Sequence, residues 1–285
     1  MAMFERFVVA CDGSEQSRAG IDLAFELAGR CGAQLTLAHV VELPDPHPEL
    51  PEVAAGIEMA EQDWRSRLAA LAGDAPGRVS VDTEVLLASK PAPALLDLLD
   101  ARRSDVLVAG THGVGGLKRT LLGSVSQQLL EHAPCSVLLV RQEMAPEGPP
   151  SVVAAVDGSE ATPAVVAAAQ AVATTLSARL LLVHVIGEQV VPFTTPDATR
   201  EQRDWAREQG RKVLTEARAI MSAPLETVSQ ELRIGVAKEE LVQACEAGRP
   251  TLAVVGSRGA HGSRDFCSAA RHAISSTTRP APSSS

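Results

Sequence analysis

Three short stretches of the chain carry the residue types that handle a phosphorylated, hydroxyl-bearing ligand. Asp12 closes the apolar run Phe7-Val-Val-Ala-Cys11 and leads into Gly13-Ser14. A carboxylate there can accept hydrogen bonds from paired hydroxyls such as those of a ribose. The apolar run Leu35–Val41 contains His39-Val40, whose backbone groups face the adjoining loop. Gly110-Thr-His-Gly113 follows a third apolar run, and after nine intervening residues comes Gly123-Ser124-Val125-Ser126. Glycines let the backbone approach a bulky anion, and a helix opening at Ser124 presents unpaired N–H groups and the positive end of its dipole. The Ser124 and Ser126 hydroxyls add donors, and Lys118 and Arg119 in the loop add charge. Taken singly, Asp12-Gly13-Ser14 reads equally as a turn and helix cap, and Gly110 and Gly113 as a turn. Their joint placement at the ligand edge of one sheet favours binding.

Other chemistries lack their residues. No Gly-x-x-x-x-Gly-Lys-Ser/Thr occurs, and no Gly-x-Gly-x-x-Gly follows the first apolar run, so neither a P-loop nor a dinucleotide fingerprint is present. No side chain is placed as a general base for a γ-phosphate, and His112 reads as a solvent-facing loop histidine. No catalytic residue is therefore assigned, and a binding protein is favoured over an enzyme. Cys11 reads as a small wall residue. His39 and His184 read as satisfying local hydrogen bonds at strand ends, and Trp64 and Trp205 as core packing.

The elements that position these residues occur twice. Phe7-Val-Val-Ala-Cys-Asp12-Gly-Ser is answered by Val152-Val-Ala-Ala-Val-Asp157-Gly-Ser, and Leu35-Thr-Leu-Ala-His39-Val40 by Leu180-Leu-Leu-Val-His184-Val185, both at an offset of 145. Val106-Leu-Val-Ala-Gly110-Thr-His-Gly113 is answered by Leu252-Ala-Val-Val-Gly256-Ser-Arg-Gly259 at an offset of 146. Three anchors at nearly one offset mark a tandem duplication. The expected domains are 1–141 and 151–285, joined by the Pro- and Gly-bearing linker 142–150.

Within the first half, apolar runs alternate with helical patterns. Ile21, Ala24, Phe25 and Ala28 form one helix stripe behind a Ser14 cap. Ile57, Ala60, Trp64, Leu68 and Leu71 form a second, and Val79, Val81, Thr83 and Val85 alternate as in a strand. A short helix over 95–99, a strand over 106–109, a helix over 124–132 and a strand over 136–140 complete the order βαβαβαβαβ. Strands separated by helices imply parallel pairing with right-handed crossovers, an α/β doubly wound sheet. In the second half Val165, Ala169, Val172 and Leu176 repeat the first stripe, with Pro163 in the first turn.

Composition agrees with that architecture. The 285 residues exceed a typical single domain, and the core must be aliphatic, since there are five Phe, two Trp and no Tyr. The balance of 26 basic against 35 acidic residues argues against a nucleic-acid partner. No run reaches the roughly 20 apolar residues of a membrane span. The first residues lack a signal peptide's apolar stretch. Five scattered cysteines form no Cys-x-x-Cys pair, which fits a reduced, cytoplasmic protein without a zinc site.

The pattern Gly-x2-Gly-x9-Gly-Ser, after an early Val-x-x-Asp-Gly-Ser, resembles the ATP-binding branch of the universal stress protein family, in tandem form. The likeness covers nearly the whole chain. It implies two five-stranded parallel sheets of strand order 3-2-1-4-5, and ATP as ligand, with room for a divalent ion such as Mg2+ on its phosphates. It further implies a regulatory role in stress response, with a slow ATPase or phosphotransferase, or a nucleotide-independent interaction scaffold, as alternatives. Carried over, Asp12 would hold the ribose and the Val40 backbone would meet adenine. Ala10, Cys11 and Ala109 would line the pocket. Gly110, Gly113, Gly123, Ser124, Val125 and Ser126 would surround ribose and phosphates.

The second half departs from the pattern. Asp157, Val185, Gly256 and Gly259 match, but where Gly-Ser is expected stands either Cys267-Ser268, at a spacing of seven residues, or Ala269-Ala270, at the original spacing of nine. A weaker second site, with Ser268 its last member, is expected. The terminal Thr278-Arg-Pro-Ala-Pro-Ser-Ser-Ser285 cannot supply a normal sheet strand, so the last strand of the second sheet is expected to be missing or irregular. That would leave strand 136–140 with an open edge, and a homodimer through it is expected.

Overall fold

The computed structural model describes residues 4–44, 51–111, 123–140, 150–187, 200–222, 228–248 and 252–256. The chain divides into two units, Met1–Gln142 and Glu143–Ser285. The first runs β1 (Arg6–Ala10), α1 (Glu15–Cys31), β2 (Gln34–Glu42), α2 (Pro51–Gly73), β3 (Ser80–Ala88), α3 (Pro91–Arg102), β4 (Val106–Gly110), α4 (Ser124–His132) and β5 (Ser136–Val140). All strand pairs are parallel, in the order β3-β2-β1-β4-β5. The order reverses between β1 and β4, the place where open α/β sheets hold ligands at their carboxyl ends.

Burial explains the arrangement. Phe7, Val8 and Val9 of β1 and Leu107 and Val108 of β4 are buried, as strands covered by helices on both faces must be. Ser14 caps α1 by accepting from the Ser17 N–H, and Gly32 closes it in the left-handed region. Ile21, Ala24, Phe25 and Ala28 point into the core, as their spacing predicts. α2 is different: only Leu68 of its apolar stripe is buried. It packs on β2 and on the edge strand β3, and an edge offers less surface to cover a helix.

The second unit runs β6 (Ser151–Ala155), α5 (Thr162–Leu176), β7 (Arg179–Ile186), α6 (Arg200–Ile220), β8 (Val228–Ile234), α7 (Ala237–Gly248) and β9 (Leu252–Val254). Its described strands form a parallel sheet of order β8-β7-β6-β9. This is the first unit's order with four strands in place of five. Residues 278–285, expected to lack a normal strand, lie outside the described residues, as do 142–149 of the expected linker.

Trp205 corrects the expectation of core packing: it is 58% exposed. The buried face of α6 is Ala206, Gly210, Leu214 and Ala217. A Cβ on Gly210 would stand 2.6 Å from Leu232 Cδ1, so the helix seats too closely on the sheet for a large ring beneath it. Trp205, about 100° around the helix from Ala206, therefore faces outward. No described helix is long and apolar enough to cross a membrane.

Candidate functional site

β2 outruns β1. Their pairing ends at Ala10 with Ala38, and the Cys11 N–H donates to the Ala38 carbonyl at 2.7 Å, while β2 continues beside β3 to Glu42. Backbone groups alternate sides along a strand. Ala38 faces β1, so the N–H and C=O of Val40 also point that way, into the space where β1 has ended. Val40's side chain is buried, leaving its backbone as the polar contribution.

Asp12 stands directly beyond the end of β1. Its backbone N–H donates to Ser17 Oγ at 3.3 Å, and its Oδ1 accepts from the Ser14 N–H at 2.9 Å. Gly13 makes this turn at φ +80°, with Trp64 3.2 Å from where a Cβ would be. Ala10 is half-buried; Cys11 and Ala109 are buried and line the strand ends. The Cys11 thiol donates to the Val9 carbonyl, and burial pushes its pKa up to about 12. It is a wall residue and a poor nucleophile.

Across the switch point, Gly110 ends β4 and Gly123 precedes α4 in an extended conformation. The Gly123 N–H donates to the Thr111 carbonyl at 2.8 Å, closing the base of the loop. Gln127 makes the first helical bond, to the Gly123 carbonyl. The N–H groups of Ser124, Val125 and Ser126 therefore lack acceptors within the helix, the arrangement that receives a phosphate. Ser126 differs from expectation in one respect. Its hydroxyl donates to the Gly110 carbonyl at 2.8 Å, so what it offers a ligand is its backbone N–H. Gly113, His112, Lys118 and Arg119 lie outside the described residues.

His39 tightens the same edge. Its Nδ1 lies 2.6 Å from the Cys11 carbonyl oxygen, and because a carbonyl only accepts, Nδ1 carries the proton. Burial, the largest influence, lowers its pKa below 6.5, so the ring is neutral at pH 7. His184 repeats the bond to Val156 O at 2.8 Å. Trp64 corrects the core assignment made for it. Its ring stacks on His39 with centroids 3.5 Å apart and planes at 14°, with the Arg67 guanidinium on the ring at 5.1 Å. The available sign was its position: a lone aromatic on the helix that follows the His39 strand.

The sequence profile of the Universal stress protein family matches residues 3–141 and 150–280. The chain belongs to the universal stress protein family. A universal stress protein of Thermus aquaticus is 35% identical over 143 residues, 49% of this chain and 100% of the relative. One of Methanocaldococcus jannaschii is 28% identical over 144 residues, 49% of this chain and 84% of the relative. A universal stress protein structure from Archaeoglobus fulgidus aligns with TM-score 0.61 at 18% identity, over 94% of this chain and 91% of that one, and shares the two-unit fold. A universal stress domain thus accounts for each half.

The second universal stress domain keeps part of the edge. Val156 N–H donates to the Val183 carbonyl at 2.9 Å and β7 continues to Ile186, so the Val185 backbone faces the space past β6. Gly158 makes the turn after Asp157 at φ +76°, with Val213 where the first unit has Trp64. Gly256 follows β9, whereas Gly259, Cys267 and Ser268 lie outside the described residues. Among the described residues no group of three or more His, Cys, Asp or Glu is arranged to hold a metal ion.

Proposed function

We propose that the first unit binds an adenine nucleotide, ATP by preference, and that occupancy rather than turnover is its function, as in a regulatory protein of stress response. The observation that carries this reading is the stagger of β1 and β2. It puts the Asp12 carboxylate and the Val40 backbone at one sheet edge, at the same switch point as the three N–H groups opening α4. Asp12 takes the ribose hydroxyls, and Val40 reads the base edge through its N–H and C=O. Gly110, Gly113, Gly123, Ser124, Val125 and Ser126 receive the phosphates, and Ala10, Cys11 and Ala109 form the wall. The choice of adenine, and of Mg2+ as a companion on the phosphates, comes from the family's nucleotide-binding pattern that these positions match.

The second unit carries the weaker site, through Asp157, Val185, Gly256, Gly259 and Ser268. Residues 1–141 and 151–285 act as separate domains joined by 142–150 in a cytoplasmic homodimer paired through the outer edge of β5. A strictly monomeric sedimentation mass at micromolar concentration removes the dimer.

Calorimetry with ATP and magnesium tests the site. Asp12→Ala and Gly123→Val each abolish the principal binding event, and unchanged binding overturns the reading. Accumulation of ADP over hours, stoichiometric or beyond, would instead make the protein a slow ATPase.

A further inference from the structure

The two units enter their first helices from nearly the same sequence, Asp12-Gly-Ser-Glu-Gln-Ser17 and Asp157-Gly-Ser-Glu-Ala-Thr162, yet spend their hydroxyls differently. In the first unit Ser14 Oγ accepts from the Ser17 N–H, and Ser17 Oγ turns to the backbone, between the Ala10 carbonyl and the Asp12 N–H. Among the described residues the Asp12 carboxylate receives only the Ser14 N–H, on Oδ1.

In the second unit three donors converge on Asp157 Oδ1. They are the Ser159 N–H at 3.0 Å, the Ser159 hydroxyl at 2.6 Å and the Thr162 hydroxyl at 3.3 Å. Hydroxyl bonds to a carboxylate are charge-assisted, and the shortest of these lies in that strong range. The three bonds draw charge onto Oδ1 and fix the carboxylate's rotation, so a ribose on Asp157 would meet a weaker, pre-oriented acceptor.

The cause is one residue further on. In the first unit the Arg18 N–H donates to the Ser14 carbonyl at 3.0 Å, so the helix starts at Glu15 with Ser14 as its cap. The equivalent position holds Pro163, which has no N–H. That bond cannot form, and α5 starts instead at Thr162, after Ala161. The Thr162 N–H turns to the Ser159 carbonyl at 3.0 Å, and the Ser159 hydroxyl accepts from the Ala161 N–H at 3.3 Å while donating to Asp157.

We propose that Ser159 and Thr162 latch Asp157 into its own turn, weakening its hold on a ribose and directing nucleotide to the first unit. Selection between the units is thus written in the hydroxyls and in Pro163, separately from the loss of Gly-Ser after Gly259. The proposal rests on the reading that Asp12 holds the ribose of ATP.

The test uses the full-length chain. Amide exchange of the ligand-free protein decides the structural half. Asp157→Ala should speed exchange over residues 157–166 about tenfold, whereas Asp12→Ala should change residues 12–21 less than about threefold. Equal effects overturn the latch. Calorimetry with ATP and magnesium decides the selective half. Asp12→Ala should abolish the wild-type event, and adding Ser159→Ala and Thr162→Val should restore binding at least tenfold tighter than Asp12→Ala alone. A triple variant that binds no better overturns the selectivity role. If the wild type takes no ATP, the nucleotide reading fails, and the exchange comparison still decides whether Asp157 is latched.

Discussion

Trp64 lies flat on His39, with ring centroids 3.5 Å apart, and His39 in turn donates through Nδ1 to the Cys11 carbonyl. One stack therefore ties α2 to the end of β1, beside Asp12. Trp64 emission therefore reports on the packing of this strand end. Since Trp205 is exposed on α6, Trp205→Phe isolates the Trp64 signal. ATP should change that emission in Trp205→Phe, and the change should vanish when Asp12→Ala is added. A titration without any spectral response would separate Trp64 from the site.

The same histidine predicts a pH dependence of stability. Burial lowers its folded pKa below 6.5. The unfolded chain then binds a proton first as pH falls, so stability is lost on going below about 6.5 and levels off below the folded value. Urea denaturation at pH 7.5 and pH 5 should show a larger loss for wild type than for His39→Gln. Equal losses would mean that His39 does not contribute.

Thiol reactivity should follow burial. The Cys11 thiol is pushed up to about 12 and that of Cys135 to about 11, in both cases chiefly by burial. Neither should react with iodoacetamide at pH 8 in the native protein, and both should react in denaturant. Mass mapping of the labelled peptides reads this directly, and prompt native labelling of Cys11 would contradict its placement.

Glycines separate by what surrounds them. Gly210→Ala puts a Cβ 2.6 Å from Leu232 Cδ1 and 3.1 Å from Ile186 Cδ1, and should cost about 1–3 kcal/mol through overpacking. Gly13→Ala meets a φ of +80° and Trp64 at 3.2 Å, and should cost about 1–2 kcal/mol. Gly56, inside α2 with nothing within 4 Å of its Cβ position, should gain about 0.5–1 kcal/mol as Ala. Chemical denaturation of the three variants ranks them, and Gly210→Ala at or above wild type would contradict the close seating of α6.

The Ser126 hydroxyl is an internal brace. It donates to the Gly110 carbonyl at 2.8 Å, and Ser126→Ala should destabilise the first unit by about 1 kcal/mol. Ser14→Ala, which removes the α1 cap, should cost a similar amount. Both are measured by urea midpoint without ligand.

Much of this was legible in the chain because buried parallel strands write themselves as apolar runs. The repeat of Asp12 in Asp157 and of His39 in His184 located the carboxyl ends of the central strands in both sheets. The stripe over Ile21 to Ala28 located the core face of α1. The tryptophans were misread because an apolar stripe tells which way a helix faces, not how much protein covers it. Trp64 has only β2 and an edge strand beneath it, and Gly210 brings α6 too close for Trp205. The divergent hydroxyls at Ser17 and Thr162 were hidden for another reason. The residues match, and the difference arises from Pro163, which acts by withholding a hydrogen bond.

The stagger between β1 and β2 has a consequence for inheritance. A cleft made by stopping one strand before its neighbour depends on where strands end, not on which aliphatic side chains fill the interior. Packing residues can drift, in either half of a duplicated gene, without erasing the recess. A strand-end recess of this kind is free to outlast most of the sequence that surrounds it.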